Sequence, residues 1–212
     1  LIRCHECGLV QLDHVVDPEE LFFKEYPYRS GITSTLANNL RNTASTIVKK
    51  YGLPKGGLAI DLGSNDGTLL EGFQKANMQV LGIEPTNIAD LANEKGIKTI
   101  QKFFDNSLVP EIIKKHGKAE VITACNMFAH VSKLGSLILG AENLLVENGL
   151  FVTESHYLLD LLDTVQYDSI YHEHLKYYSV KSIINRYKHK DIDVLFLNAK
   201  YFGAGLNLEN TT

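Results

Sequence analysis

The 212-residue chain has little cysteine, three residues in all. That is too few for a disulfide framework, so a reducing, cytoplasmic setting is the default expectation. No apolar run is long enough to cross a bilayer, which excludes a helical membrane span. The opening Leu1-Ile2-Arg3-Cys4-His5-Glu6-Cys7 lacks the charged-then-apolar order of a signal peptide. A basic excess is also missing: 21 Lys and Arg stand against 25 Asp and Glu, a formal net charge of −4. That balance speaks against nucleic acid as the main partner. What is present, 44% hydrophobic and 22% charged residues, is the composition of an ordinary globular protein with one core and a small appendage.

The most informative stretch is Leu58-Ala59-Ile60-Asp61-Leu62-Gly63-Ser64-Asn65-Asp66-Gly67. Its first five residues are mostly apolar and bounded by glycines, as in a short buried strand. Leu69, Leu70 and Phe73 then recur at helical spacing, with Asp66 near the helix start. A strand feeding a helix through a Gly-rich turn is a nucleoside-binding corner, because Gly63 and Gly67 carry no Cβ to block a ligand. The Gly-x-Gly-x-x-Gly of dinucleotide sites is absent here. The spacing is Gly-x-x-x-Gly, and the turn is crowded with acids. That favours a ligand with a cationic or hydroxyl-rich part over a diphosphate. The next apolar run, Gln79–Ile83, ends at Glu84, where an acid accepts hydrogen bonds from ribose hydroxyls. Together Asp61, Gly63, Asp66, Gly67 and Glu84 resemble the corner of class I S-adenosylmethionine (SAM)-dependent methyltransferases. The resemblance implies SAM as cofactor, with Asn65 in the same binding turn.

Strand and helix patterns alternate from there. Strands are expected at Leu58–Leu62, Gln79–Ile83, Lys98–Gln101, Glu120–Ala124 and Leu150–Glu154. Helices are expected near Gly67–Ala76, Asn87–Lys95, Leu108–His116 and Leu134–Val146. This is an α/β, Rossmann-like pattern: a mainly parallel sheet with helices on both faces and ligands beyond the C-terminal strand ends. Phe103-Phe104-Asp105 follows the third strand, where Phe104 and the acid suit an adenine. Asn126 ends the fourth strand, and His130 lies one turn on. Before the sheet, Ile32 to Tyr51 reads as a helix that Gly52 and Pro54 terminate.

The flanks carry two further motifs. Cys4-x-x-Cys7 can supply two thiolates to a tetrahedral zinc, which is half of a structural site. Tyr26-Pro27-Tyr28-Arg29-Ser30-Gly31 is a turn-rich aromatic loop. After the fifth strand, Tyr157–Leu162 reads as helical, and Tyr171-His172-Glu173-His174 is the densest acid–base cluster in the chain. Histidine titrates near neutrality and carboxylates can be tuned upward by burial, so His172, Glu173 and His174 suit proton transfer. The His-Glu-x-x-His of zinc proteases is a different spacing. Ser179 is expected to cap a helix bearing Ile183 and Ile184, with strands at Asp193–Leu197 and Phe202–Leu208.

Asp-Leu-Gly-Ser-Asn-Asp-Gly-Thr-Leu-Leu, Gly-Ile-Glu-Pro, Asn-Met-Phe-Ala-His-Val and Tyr-His-Glu-His-Leu-Lys-Tyr-Tyr-Ser together resemble the SAM-dependent sugar C-methyltransferases. The resemblance implies C-methylation next to a ketone of a nucleotide-activated keto-deoxy sugar. His174 or Glu173 would be the base, and His130 or Tyr171 the donor to the enolate oxygen. Tyr28 would stand near the substrate. It also implies that residues 1–31 are a partial zinc-binding domain with an aromatic loop. Residues 32–212 would be the methyltransferase core. A second cysteine pair would lie upstream, and a further domain, absent here, would follow. Phe202-Gly203-Ala204-Gly205-Leu206 departs from the family's His-Gly-Gly-Ser-Leu. An O- or N-methyltransferase and a silent SAM-binding fragment remain as alternatives.

Overall fold

The computed structural model describes residues 1–22 and 25–187. The strands expected at 193–197 and 202–208, and the 202–206 departure, lie outside the described residues. In chain order the elements are β1 (Ile2–Arg3), β2 (Val10–Gln11), α1 (Pro18–Leu21), α2 (Ser34–Tyr51), β3 (Leu58–Leu62), α3 (Thr68–Lys75), β4 (Gln79–Ile83) and α4 (Ile88–Glu94). They continue with β5 (Thr99–Ile100), α5 (Val109–His116), β6 (Ala119–Cys125), α6 (Leu134–Leu144), β7 (Leu145–Glu154), α7 (Leu158–Asp163), β8 (Lys176–Tyr177) and α8 (Val180–Tyr187). Expected and observed elements differ mainly at their ends. β5 shrinks to two residues, and β7 begins five residues earlier than its apolar run.

The chain forms two compact units that no single cut in the sequence separates. One gathers residues 22–125 and 133–153, the other residues 1–21, 126–132 and the described residues from 154 to 187. The aromatic loop and the helix after it belong to the same unit.

The larger unit is a five-stranded sheet in the order β5-β4-β3-β6-β7. β3 pairs in parallel with both β4 and β6, and β4 with β5. All five residues of β3 are buried, which is why that strand is apolar nearly throughout rather than alternating. α2 starts at Thr33, whose hydroxyl accepts from Leu36 N, and ends at Gly52 with φ of 60°. It packs closely on α3 because Gly72 carries no side chain. A Cβ there would lie 2.6 Å from the Arg41 carbonyl oxygen and 2.7 Å from the Ala44 Cβ. Arg41 and Glu71 close that contact with a 2.7 Å ion pair.

The smaller unit holds an antiparallel sheet in the order β1-β2-β8, with Val10 opposite Tyr177 and Gln11 opposite Lys176. β8 is also tied to the segment 128–131. Leu175 N donates to the Ala129 carbonyl at 3.0 Å, the Tyr178 hydroxyl donates to the Phe128 carbonyl at 3.1 Å, and Lys176 Nζ reaches the Val131 carbonyl. Ser179 caps α8 through Ser182 N.

Candidate functional site

In the larger unit the glycine corner forms as the sequence pattern suggests, with Gly63 at φ 70° and Gly67 at φ 77°. Gly63 N and Ser64 N both donate to the Ile83 carbonyl, at 2.8 and 3.2 Å, and lock the turn to the end of β4. Glu84 is buried at that end. Its Oε2 accepts from Asn65 N at 3.0 Å, and its Oε1 accepts from Thr86 N at 2.9 Å and the Thr86 hydroxyl at 2.7 Å. An ionised carboxylate offers about four acceptor positions, so these three donors leave one, on Oε2.

Asp61 lies between Gly82 and Thr123 in the sheet register. Burial pushes its carboxyl up to about 7, against the hydrogen bond from Thr123 and with the help of the Glu84 charge. The Thr123 hydroxyl donates to Asp61 Oδ1 at 2.6 Å. An acid so placed favours a cationic neighbour, which would restore its ionised form.

Asn65 and Asp66, both expected to face the cofactor, have their side chains engaged elsewhere in the unit. Asn65 Oδ1 accepts from Ser30 N at 2.8 Å, and its Nδ2 donates to the Tyr28 carbonyl at 3.1 Å. Asp66 Oδ2 accepts from Gly31 N at 3.1 Å and pairs with Lys95 Nζ at 3.2 Å. Its Oδ1 accepts from the Thr68 hydroxyl at 2.6 Å. Burial raises the Asp66 carboxyl, but the Thr68 and Lys95 contacts outweigh it and hold the group below its usual range. Phe104 sits beside α6: a Cβ on Gly140 would lie 3.0 Å from its Cζ. Asp105 caps the turn that follows by accepting from Ser107 N at 2.8 Å.

The smaller unit gathers His130, His156, Tyr171, Glu173 and His174. His174 is 6% exposed, while Tyr171 is 44% exposed. The imidazole is held at both nitrogens. Nδ1 lies 2.8 Å from the Ser169 carbonyl oxygen, and Nε2 lies 3.1 Å from the Tyr171 hydroxyl. A carbonyl oxygen only accepts, so Nδ1 carries the hydrogen and neutral His174 keeps its lone pair at Nε2, aimed at Tyr171. Burial lowers the His174 pKa, opposed by the Ser169 hydrogen bond and the Glu173 charge.

His130 packs edge-on to His174 with centroids 5.0 Å apart, and its Nδ1 lies 4.0 Å from Glu173 Oε2. Burial, with His174 and His156 nearby, pushes the His130 imidazole down to about 4, so it is neutral at pH 7. Asn126 takes φ 52°, and its backbone N donates to the Glu154 carbonyl at 2.9 Å. His156, which motif reasoning missed, lies 4.4 Å from His174 between ring centroids. Its place directly after the last sheet strand, where β-strand ends present functional groups, was the available signal.

Cys4 and Cys7 lie in the connection between β1 and β2, with Gly8 at φ 78°. Backbone N–H groups of Cys7 and Glu6 hold the Cys4 thiol below its ordinary pKa. Two thiols are half of the four ligands a structural zinc requires. Among the described residues no group of three or more His, Cys, Asp or Glu is arranged to hold a metal ion. Among them, too, no helix is long and apolar enough to cross a membrane.

A family profile described as a methyltransferase domain matches residues 36–195. The C-methyltransferase NovU of Streptomyces niveus is 33% identical over 196 residues, 92% of this chain and 46% of that protein. The chain thus spans about half the length of the curated relative it matches. Among solved structures, magnesium protoporphyrin IX methyltransferase from Synechocystis, with bound SAH, superposes with a TM-score of 0.56 at 12% identity, covering 81% of this chain and 84% of that one. Coclaurine N-methyltransferase, bound to N-methylheliamine and SAH, superposes with a TM-score of 0.52 at 18% identity, covering 80% and 52%. These two likenesses establish the Rossmann-like fold, and the match over residues 36–195 establishes the family. The chain belongs to the methyltransferase domain family.

Proposed function

We propose that the chain is the core of a SAM-dependent C-methyltransferase acting next to a ketone on a nucleotide-activated keto-deoxy sugar. The observation that carries this reading is the Tyr171–His174 pair, a buried imidazole whose lone pair faces a phenol. Carbon becomes a nucleophile only after an α proton is removed, so a C-methyltransferase needs a proton acceptor of this kind. The likeness to the Streptomyces niveus C-methyltransferase supports the same chemistry.

The donor set at the corner fits SAM. Glu84 has an acceptor position left for a ribose hydroxyl, Asp61 is an acid suited to a cation, and Gly63 and Gly67 keep the turn open. When bound, SAM supplies an electrophilic methyl group on a sulfonium. The chain's own residues do the rest. His174 takes the substrate's α proton at Nε2, displacing the Tyr171 hydroxyl. That hydroxyl then donates to the developing enolate oxygen. The Glu173 carboxylate favours the imidazolium that forms, and His130 stays neutral.

The test is an incubation in deuterated solvent with a nucleotide-linked keto-deoxy sugar and SAM. Deuterium should enter at the α carbon, and the new methyl group should be bonded to carbon. A methyl group on oxygen or nitrogen would sink the proposal.

Asp61 makes the proposed binding pH-dependent. Its folded pKa, about 7, lies above the ordinary 3.8. Its contribution to the stability of the free protein is therefore fully present below pH 3.8 and lost as pH rises through 7. A cationic ligand favours ionised Asp61, so SAM should bind more tightly as pH rises through neutrality, releasing protons. Calorimetry in buffers of different ionisation heat measures that release, and Asp61→Asn should abolish it. Affinity flat with pH and no proton release would remove Asp61 from the cation's surroundings.

A further inference from the structure

The aromatic loop from Tyr26 to Gly31 is fastened at successive points to the start of α4 and to the glycine corner. Tyr26 N donates to Asn87 Oδ1 at 3.1 Å. Asn65 grips the main chain twice, accepting from Ser30 N and donating to the Tyr28 carbonyl. Asp66 Oδ2 takes Gly31 N, and is itself steadied by Lys95. The fit at Gly31 is tight: a Cβ there would lie 2.5 Å from Asp66 Oδ2 and 2.8 Å from the Thr68 hydroxyl oxygen. The loop that these contacts hold down carries Tyr28, which is half exposed.

We infer that Asn65 and Asp66 are positioning residues that strap loop 26–31, and with it Tyr28, onto the corner. Their side chains are not cofactor ligands. Asn65 suits this role because both ends of its amide are used on backbone groups 35 and 37 residues away. Its own backbone sits at φ 51°, a conformation that Asn adopts more readily than most residues. Asp66 has its carboxylate oxygens committed to Gly31 N, Lys95 and Thr68. The strap depends on the proposed SAM site only for its binding and turnover readouts.

Two variants break the strap at different points, one on the corner and one on the loop. Asn65→Gly removes the amide and keeps the backbone relaxed, because glycine tolerates positive φ. Gly31→Ala leaves Asn65 and Asp66 unchanged and sets a methyl group against Asp66 Oδ2 and the Thr68 hydroxyl, which breaks the Gly31–Asp66 contact. The protein has no tryptophan, so a single Arg29→Trp substitution in each background reports loop motion by fluorescence anisotropy.

Both variants should lower the anisotropy of the ligand-free protein. Both should leave the SAM dissociation constant within about twofold and lower kcat by about tenfold or more, the scale on which small misplacements act. If Asn65→Gly weakens SAM binding tenfold while Gly31→Ala does not, Asn65 is a ligand and the inference is wrong. Unchanged anisotropy in both variants overturns it as well. Should the unmodified protein fail to bind SAM, the proposed function falls, yet the anisotropy of the ligand-free variants still decides the strap.

Discussion

Replacing His174 by Asn should slow methyl transfer by about 10²–10⁴-fold, the usual share of a general base, while SAM affinity stays unchanged. The choice of Asn follows from the two hydrogen bonds of the imidazole. An Asn amide places an N–H near the position of Nδ1, so it can still donate to the Ser169 carbonyl and hold the turn. It has nothing in the place of Nε2, the atom that faces Tyr171. The variant therefore removes the proton acceptor with little change in packing. Solvent deuterium should no longer enter at the substrate's α carbon. In the unmodified protein, kcat should fall on the acidic side, because His174 must be neutral to accept a proton. Burial holds that limb below the ordinary histidine pKa of 6.5. If the Asn variant exchanges the α proton at the unmodified rate, His174 is not the base.

Glu84→Ala should weaken SAM binding by roughly 1–3 kcal/mol, the cost of leaving a ribose hydroxyl unpaired at a buried site. Isothermal calorimetry measures it directly. The same substitution strips Asn65 N, Thr86 N and the Thr86 hydroxyl of their acceptor, so a lower melting temperature is also expected. Thr86→Ala separates the two effects. It removes a donor from Oε1, on the side away from the spare acceptor position of Oε2, so it should cost stability and leave SAM affinity nearly unchanged. Equal affinity in Glu84→Ala and the unmodified protein would defeat the ribose assignment.

Motif reasoning and geometry agree best where the physics is local. β3 was readable because a strand covered on both faces is apolar at nearly every position, and all five of its residues are buried. Gly52 was readable as a helix stop because a left-handed terminal residue favours glycine, and it sits at φ 60°. Glu84 was readable as the acid at a strand end, since the length of β4 follows from its apolar run.

Partners distant in sequence were not readable. Asn65 and Asp66 look like ligand residues from their place in a glycine turn. Their occupation by Ser30, Tyr28 and Gly31 comes from a loop 35 to 37 residues away, a pairing that only the tertiary structure decides. His156 carries no motif and joins His174 through the path of the chain after β7. The composition and spacing of this protein determined its α/β class, its strand–turn–helix corner and the presence of acid–base groups, because periodicity and turn chemistry act over a few residues. Tertiary structure decided which nitrogen of His174 keeps its lone pair, which acid at the corner is buried against the Thr123 hydroxyl, and which polar side chains are spent on the backbone. Most of those choices are made by hydrogen bonds between segments dozens of residues apart, whose geometry no local pattern encodes.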